Sequence, residues 1–246
     1  MSRLKKLGTI GTLGVIISGG LIFGSAQAGS AATCRTGLAA PTNTYPGTVA
    51  AATNFEANSL SPFIASTAGT GTAAVTSPLA HSGTCAATLH VTADAGSIAN
   101  SALSLAAGTT TAYADGWFNI TKAGVAGNDV PYYRFFSGST RIADVYRYNS
   151  NGQLWLRVTA PNGTFVYTQL KASSIPLNSW HRVTMRVSAR GTASTIQVWF
   201  DGSPEFTSST VKMGATSLSS IMLGSEHARQ MGDSYIDDVI IKRSAT

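Results

Sequence analysis

From Val49 onward the chain alternates between short runs of β-forming residues and turn signals. Residues 113–120 are the clearest case. Tyr113, Asp115, Trp117 and Asn119 occupy one phase, and Ala114, Gly116, Phe118 and Ile120 the other. A period of two with one polar-aromatic and one small-apolar face predicts a half-buried strand. Asn149-Ser150-Asn151-Gly152 separates a run at 142–148 from one at 153–159, and Pro161-Asn162-Gly163 separates the second from 164–170. Asn-Gly pairs supply the positive φ of tight hairpins, so these runs are predicted to be strands joined by short turns. Runs at 181–188 and 195–201 follow, joined by Ala189-Arg190-Gly191, and the last lies at 235–242. No segment beyond the N-terminus shows a helical period, and no internal repeat is present. Strands spaced roughly every 8–12 residues imply an all-β, two-sheet antiparallel sandwich or jelly roll.

The N-terminus follows different rules. Arg3, Lys5 and Lys6 precede a glycine-punctuated apolar run over 7–23, then Ser25-Ala26-Gln27-Ala28. A basic start, an apolar stretch and an A-x-A-like site are the parts of a secretory signal peptide, expected to span 1–28. The run is short for a bilayer span of about 20 apolar residues. Residues 29–48 lack periodicity and read as an N-terminal linker, which leaves 49–246 as one domain.

Charge then changes the picture. The chain carries 17 Lys+Arg against 11 Asp+Glu, net +6. Losing Arg3, Lys5 and Lys6 with the signal peptide leaves 14 against 11, net +3, and ten of those cations are arginine. Without a Lys/Arg block this does not read as a nucleic-acid binder. Only 11% of residues are charged, which excludes a solvating disordered chain and a coiled coil. An exported chain with two cysteines, Cys34 and Cys85, is expected to pair them.

Three stretches carry family information. They are Thr53-Asn54-Phe55-Glu56 with Ala80-His81-Ser82-Gly83-Thr84; Asn178-Ser179-Trp180-His181 running into Ile196-Gln197-Val198-Trp199-Phe200-Asp201-Gly202; and Ile221-Met222-Leu223-Gly224-Ser225 with Tyr235-Ile236-Asp237-Asp238-Val239. Together they resemble the concanavalin A-like lectin/glucanase superfamily, particularly its laminin-G-like jelly rolls and jelly-roll carbohydrate-binding modules, over about residues 50–243. That resemblance implies a structural calcium between the first and last strands, with Glu56, Asp237 and Asp238 at the matching positions. Strict strand alternation sends Asp237 and Asp238 to opposite faces, which favours Asp237. The alternative is that these acids hold backbone amides without metal.

The glucanase signature Glu-x-Asp-x-x-Glu is absent, since Glu56, Glu205 and Glu226 are the only glutamates. The Gln-x-His strand of alginate-lyase relatives is absent too, because Gln197 is followed by Val198-Trp199. No catalytic residue is assigned. One polar-aromatic face is expected to bind ligand through Asp115, Trp117, Asn119, Arg134, Arg147, Trp155, Arg157, Arg182 and Arg186. Aromatic planes suit sugar rings, and guanidinium forks suit hydroxyls and carboxylates. Several arginines with little lysine fit an acidic polysaccharide. The alternative for this face is the plain solvated side of a sheet. The expectation is thus a secreted, monomeric, non-catalytic lectin-like domain that takes a glycan, with no nucleic-acid partner and no membrane contact after cleavage. A polysaccharide hydrolase or lyase with an atypical site, and an adhesion domain with a protein partner, are the other readings.

Overall fold

A computed structural model describes residues 33–230 and 232–244. The expected signal peptide, 1–28, lies outside the described residues. In chain order the strands are β1 (Thr48–Thr53), β2 (Ile64–Ala68), β3 (Thr72–Thr76), β4 (Ala86–Val91) and β5 (Ile98–Ser104). Next come β6 (Thr111–Lys122), β7 (Asp129–Ser137), β8 (Thr140–Tyr148), β9 (Leu154–Thr159) and β10 (Phe165–Lys171). The last are β11 (Trp180–Ser188), β12 (Ser194–Phe200), β13 (Ser203–Val211), β14 (Ser220–Ser225) and β15 (Gly232–Ser244).

They form two antiparallel sheets. The first has the order β13-β12-β11-β6-β15-β4-β3, and the second β10-β9-β8-β7-β14-β5-β2. The long β15 pairs with β6 along one side; along the other it pairs with β4 over 232–236 and with β1 over 239–243. Between the inner faces lies one apolar core. Val183, Met185 and Val187 of β11 and Ile196 and Val198 of β12 join Val145 of β8 and Leu154 and Leu156 of β9. Phe118 of β6 meets Tyr132 and Tyr133 of β7 edge-on, at 5.2 and 5.0 Å between ring centres, and so ties one sheet to the other. Fully burying one such side chain stabilises the fold by about 1.5–3 kcal/mol.

The strands expected at 113–120, 142–148, 153–159, 164–170, 181–188, 195–201 and 235–242 coincide with β6, β8, β9, β10, β11, β12 and β15 to within a few residues. Asp201 and Gly202 both take positive φ (51° and 79°), the two-residue turn that a twisted hairpin demands. At Asn151-Gly152 and Asn162-Gly163 only the glycine does so. Strand β7 shows no alternation because both of its faces are buried. Its internal Pro131 sits at a register shift, where a missing N–H breaks no ladder.

Part of the expected linker is packed onto the domain. Cys34 is disulfide-bonded to Cys85, and Tyr45 stacks on Tyr113 at 5.0 Å. The Lys242 ammonium donates to the carbonyls of Asn43 and Tyr45 at 2.8 and 2.7 Å. Residues 43–45 therefore lie across the outer face of the first sheet.

Candidate functional site

The residues expected on one binding face divide between two sheets. Asp115, Trp117 and Asn119 on β6 and Arg182 and Arg186 on β11 share the outer face of the first sheet. Arg134, Arg147, Trp155 and Arg157 belong to the second. Alternation tells which residues of a strand share a side; it does not tell which sheet the strand joins.

The outer face of the first sheet is largely covered. Asp115, 2% exposed, accepts from Arg182 Nε and Nη2 at 2.9 and 2.7 Å, from Thr184 Oγ1 at 2.8 Å and from Asn43 Nδ2 at 2.9 Å. That pairing holds the Arg182 guanidinium above its ordinary pKa. The His81 ring stacks on Trp117 at 3.8 Å, and Asn119 is buried. Arg186 donates to Thr195 and Gln197 and lies over the Tyr113 ring, which Tyr45 covers from elsewhere. These groups largely satisfy one another.

Arg147 is not on an outer face at all. It shares the inward phase of Leu154, its cross-strand partner, and its Nε donates to the Ile175 carbonyl at 3.0 Å. Its role is to close the end of the sandwich, and burial lowers its pKa.

The acids expected at the metal position hold a turn. Glu56 accepts from the backbone N–H groups of Arg35, Thr84 and Cys85 and from Thr84 Oγ1. Burial works to raise its pKa, but these donors outweigh it and the value is lowered. Asp237 Oδ2 accepts from the N–H of His81 and Ser82 at 2.9 and 3.0 Å. Burial pushes the Asp237 carboxyl up to about 7 against those donors. Asp238 takes φ of 50° at a register shift in β15, a bulge that breaks the alternation. Its carboxylate therefore turns to the same loop, meeting His81 Nδ1 and Ser82 Oγ at 2.8 Å each. This corrects the expectation of opposite faces. The bulge lies where β4 ends and β1 begins along β15, and the 81–85 turn fills that gap.

A carboxylate offers about four lone-pair positions, and Glu56 has four donors. Asp237 and Asp238 alone supply a small part of the six to eight oxygens that calcium takes. The arrangement fits amide capping and does not fit a calcium shell that includes Glu56. Among the described residues, the one group of three such side chains with ligand atoms within 4.8 Å is Cys34, Glu56 and Cys85. Its cysteines are disulfide-bonded and offer no thiolate.

The open site lies on the outer face of the second sheet. Hairpin register places Tyr146 of β8 opposite Trp155 of β9, and Trp155 opposite Gln169 of β10. The next row runs Arg134, Asp144, Arg157, Tyr167 across β7 to β10. Opposite charges on neighbouring strands attract at this spacing. Asp144, fully buried, receives Arg157 Nε at 2.9 Å and Nη2 beside it. Arg157 Nη1 donates to Asp129 at 3.3 Å. Burial disfavours the Arg157 charge, yet Asp144 and Asp129 more than offset this and raise its pKa. The guanidinium also lies 5.1 Å from the Tyr146 ring centre.

Beneath it is Arg134, with no side-chain exposure, donating to the Gly224 carbonyl at 2.9 Å. Asp129, Glu226 and Asp144 lie 3.5, 3.4 and 3.8 Å from its nitrogens. Burial lowers its pKa against those three charges. Gln230, carried by the short turn Ala228–Gln230 after β14, donates to Asp129 and accepts from the Glu226 N–H.

Above this floor is a cleft of roughly 430 Å³ bordered by Asp129, Tyr146, Tyr148, Trp155, Arg157 and Tyr167. Volumes of about 300–1,000 Å³ are usual for small-ligand sites. Tyr148 and Trp155 meet edge-to-face at 6.2 Å, and Tyr167 is 52% exposed. Burial raises the Tyr146 pKa, so its hydroxyl stays protonated near neutral pH. Asp129, Asp144, Tyr146, Tyr148, Tyr167, Glu226 and Gln230 were not expected here. The Asn149–Gly152 turn carried a usable signal for some of them, because its register alone pairs Asp144 with Arg157 and Tyr146 with Trp155.

No family model and no curated protein matches this chain. Solved structures do. An endo-β-1,4-glucuronan lyase from Trichoderma reesei superposes with a TM-score of 0.60 at 15% identity, over 75% of this chain and 92% of that one. Cellulose induced protein, Cip1, gives 0.62 at 14% identity, over 79% and 96%. Domain 4 of AbnA, an extracellular arabinanase from Geobacillus stearothermophilus in complex with arabinotriose, gives 0.53 at 16%, over 81% and 94%. With its two antiparallel sheets, this chain has the concanavalin A-like jelly-roll fold.

Proposed function

We propose that this is an exported, non-catalytic glycan-binding domain whose ligand lies along the cleft of the second sheet. The observation that carries the reading is the cleft itself. Trp155, Tyr148 and Tyr167 offer ring surface beside Arg157 and Asp129, which are locked in place by their own ion pair. Sugar rings have apolar faces that stack on aromatic planes, while their hydroxyls need fixed donors and acceptors. Groups held rigid before binding lose little entropy when the ligand arrives.

The names of the similarly folded proteins, a glucuronan lyase and an arabinanase domain seen with arabinotriose, agree with a polysaccharide partner. The Cys34–Cys85 bond agrees with an oxidising, extracellular location. Binding is favoured over hydrolysis because Asp129, Asp144 and Glu226 are each in contact with a guanidinium. Hydrolysis of a glycosidic bond needs one carboxyl free to give up a proton to the leaving group.

A glycan array with neutral and acidic polysaccharides, read for both capture and released product, tests this. Capture without product is the expected result. Product formation would replace the binding reading with an enzymatic one, and the absence of both would remove the glycan.

A further inference from the structure

The cleft's charges already neutralise one another. Arg134, Arg141 and Arg157 face Asp129, Asp144 and Glu226 in one connected set of ion pairs, three against three. Of these side chains Glu226 is the most exposed, at 32%; Arg141 follows at 17%, and Asp129 and Arg157 stand at 10%. Arg134 and Asp144 are closed off entirely. Asp129 and Arg157 are the two of these side chains that border the cleft, so a ligand there meets one acid beside one base.

The state of Arg157 decides more. Its Nε and Nη2 donate to Asp144 and its Nη1 to Asp129, so the planar fork that would grip a free carboxylate is engaged at every nitrogen. A uronate arriving there approaches Asp129 with like charge. Its two oxygens can take the Nε–Nη2 fork only by displacing the buried Asp144, a strongly unfavourable exchange, and the N–H groups left over belong to a guanidinium whose charge Asp144 and Asp129 already balance. A neutral sugar meets no such opposition. Its hydroxyls donate to Asp129 and accept from the remaining N–H groups of Arg157, while Trp155 and Tyr167 cover its ring faces.

We infer that the cleft selects a neutral polysaccharide and rejects polyuronates. This rests on the reading of the cleft as the glycan site, and it reverses the acidic ligand expected from the number of arginines. Of those arginines, Arg134 and Arg157 serve the floor of the cleft, Arg182 and Arg186 lie on the other sheet, and Arg147 closes the end of the sandwich.

The test is affinity electrophoresis of the full chain in gels holding either neutral polymers (arabinan, xylan, mixed-linkage glucan) or polyuronates (alginate, polygalacturonate). Each gel is run at low salt and at about 0.5 M, where exposed charges are screened. Trp155→Ala and the milder surface change Tyr167→Ala are run beside the unaltered chain. The expected result is retardation by at least one neutral polymer, unchanged by salt and weakened about tenfold or more in both variants, with none by polyuronates. Retardation by a polyuronate that vanishes at high salt and in Tyr167→Ala overturns the neutral class but keeps the cleft. Retardation by no polymer, or retardation that neither variant weakens, overturns the cleft reading itself.

Discussion

Asp144 is the side chain on which the floor of the cleft depends. It is fully buried, accepts two bonds from Arg157, and lies 3.8 Å from Arg134 Nε. Asp144→Asn keeps the shape and one oxygen but removes the charge, leaving three guanidiniums against two carboxylates. Arg134, with no exposure, cannot recover its hydration. Removing one partner of a buried pair typically costs about 3–5 kcal/mol, mostly from the charge left behind. At about 2–4 °C per kcal/mol for a domain of this size, the melting temperature should fall by about 6–20 °C. Thermal unfolding followed by circular dichroism measures this, with the folded spectrum before melting as the control. The double variant Asp144→Leu/Arg157→Met provides the sharper comparison. It returns the network to two against two, so it should lose less stability than the two single variants summed. Melting of Asp144→Asn within about 2 °C of the unaltered protein, or simple additivity in the double variant, would refute the reasoning.

Three further expectations follow from the same structure. Glu56→Gln should lower stability by about 1.5–3 kcal/mol at neutral pH, the usual value of hydrogen bonds to a charged group, as read by urea unfolding. Because the Glu56 pKa is lowered on folding, its contribution is present above the unfolded value of about 4.3 and is lost as pH falls through the folded value; the acid limb of the stability curve should flatten in the variant. Replacing Cys34 and Cys85 by serine opens a span of 51 residues and should cost about 4 kcal/mol in the chain-entropy account, seen as a lower urea midpoint. Tyr45→Ala should uncover Tyr113 and Trp199, detected as a red shift in tryptophan emission with a melting temperature lowered by a few degrees.

Much of the scaffold was legible because its signals are local. The two-residue period over 113–120 became β6, and Asp201-Gly202 became a tight hairpin turn. Strand β7 was harder to read, since Arg134 and Asp129 stand among apolar neighbours and only their partners on β8, β9 and the β14 end make their burial tolerable. Glu56, Asp237 and Asp238 are expected from the sequence as calcium ligands, and in the structure they hold N–H groups and side chains of the 81–85 turn. Their chemistry was not legible, because it depends on which N–H groups of a distant turn reach them.

By itself the sequence determined strands β6, β8, β9, β10, β11, β12 and β15, the turns joining β8 to β9, β9 to β10 and β11 to β12, and the pairing of its only two cysteines. Each depends on residues adjacent in the chain, or on there being a single choice. The tertiary structure alone decided which sheet each polar face joined. It set Arg182 on Asp115, 67 residues away, and put Arg157 on Asp144 in the other sheet. It also bent β15 at Asp238, bringing two consecutive acids to one turn. Period two defines a side relative to the strand's own axis. Whether that side meets solvent, a strap of chain or a charged neighbour is settled by long-range pairing, and so is whether an arginine remains free to meet a ligand.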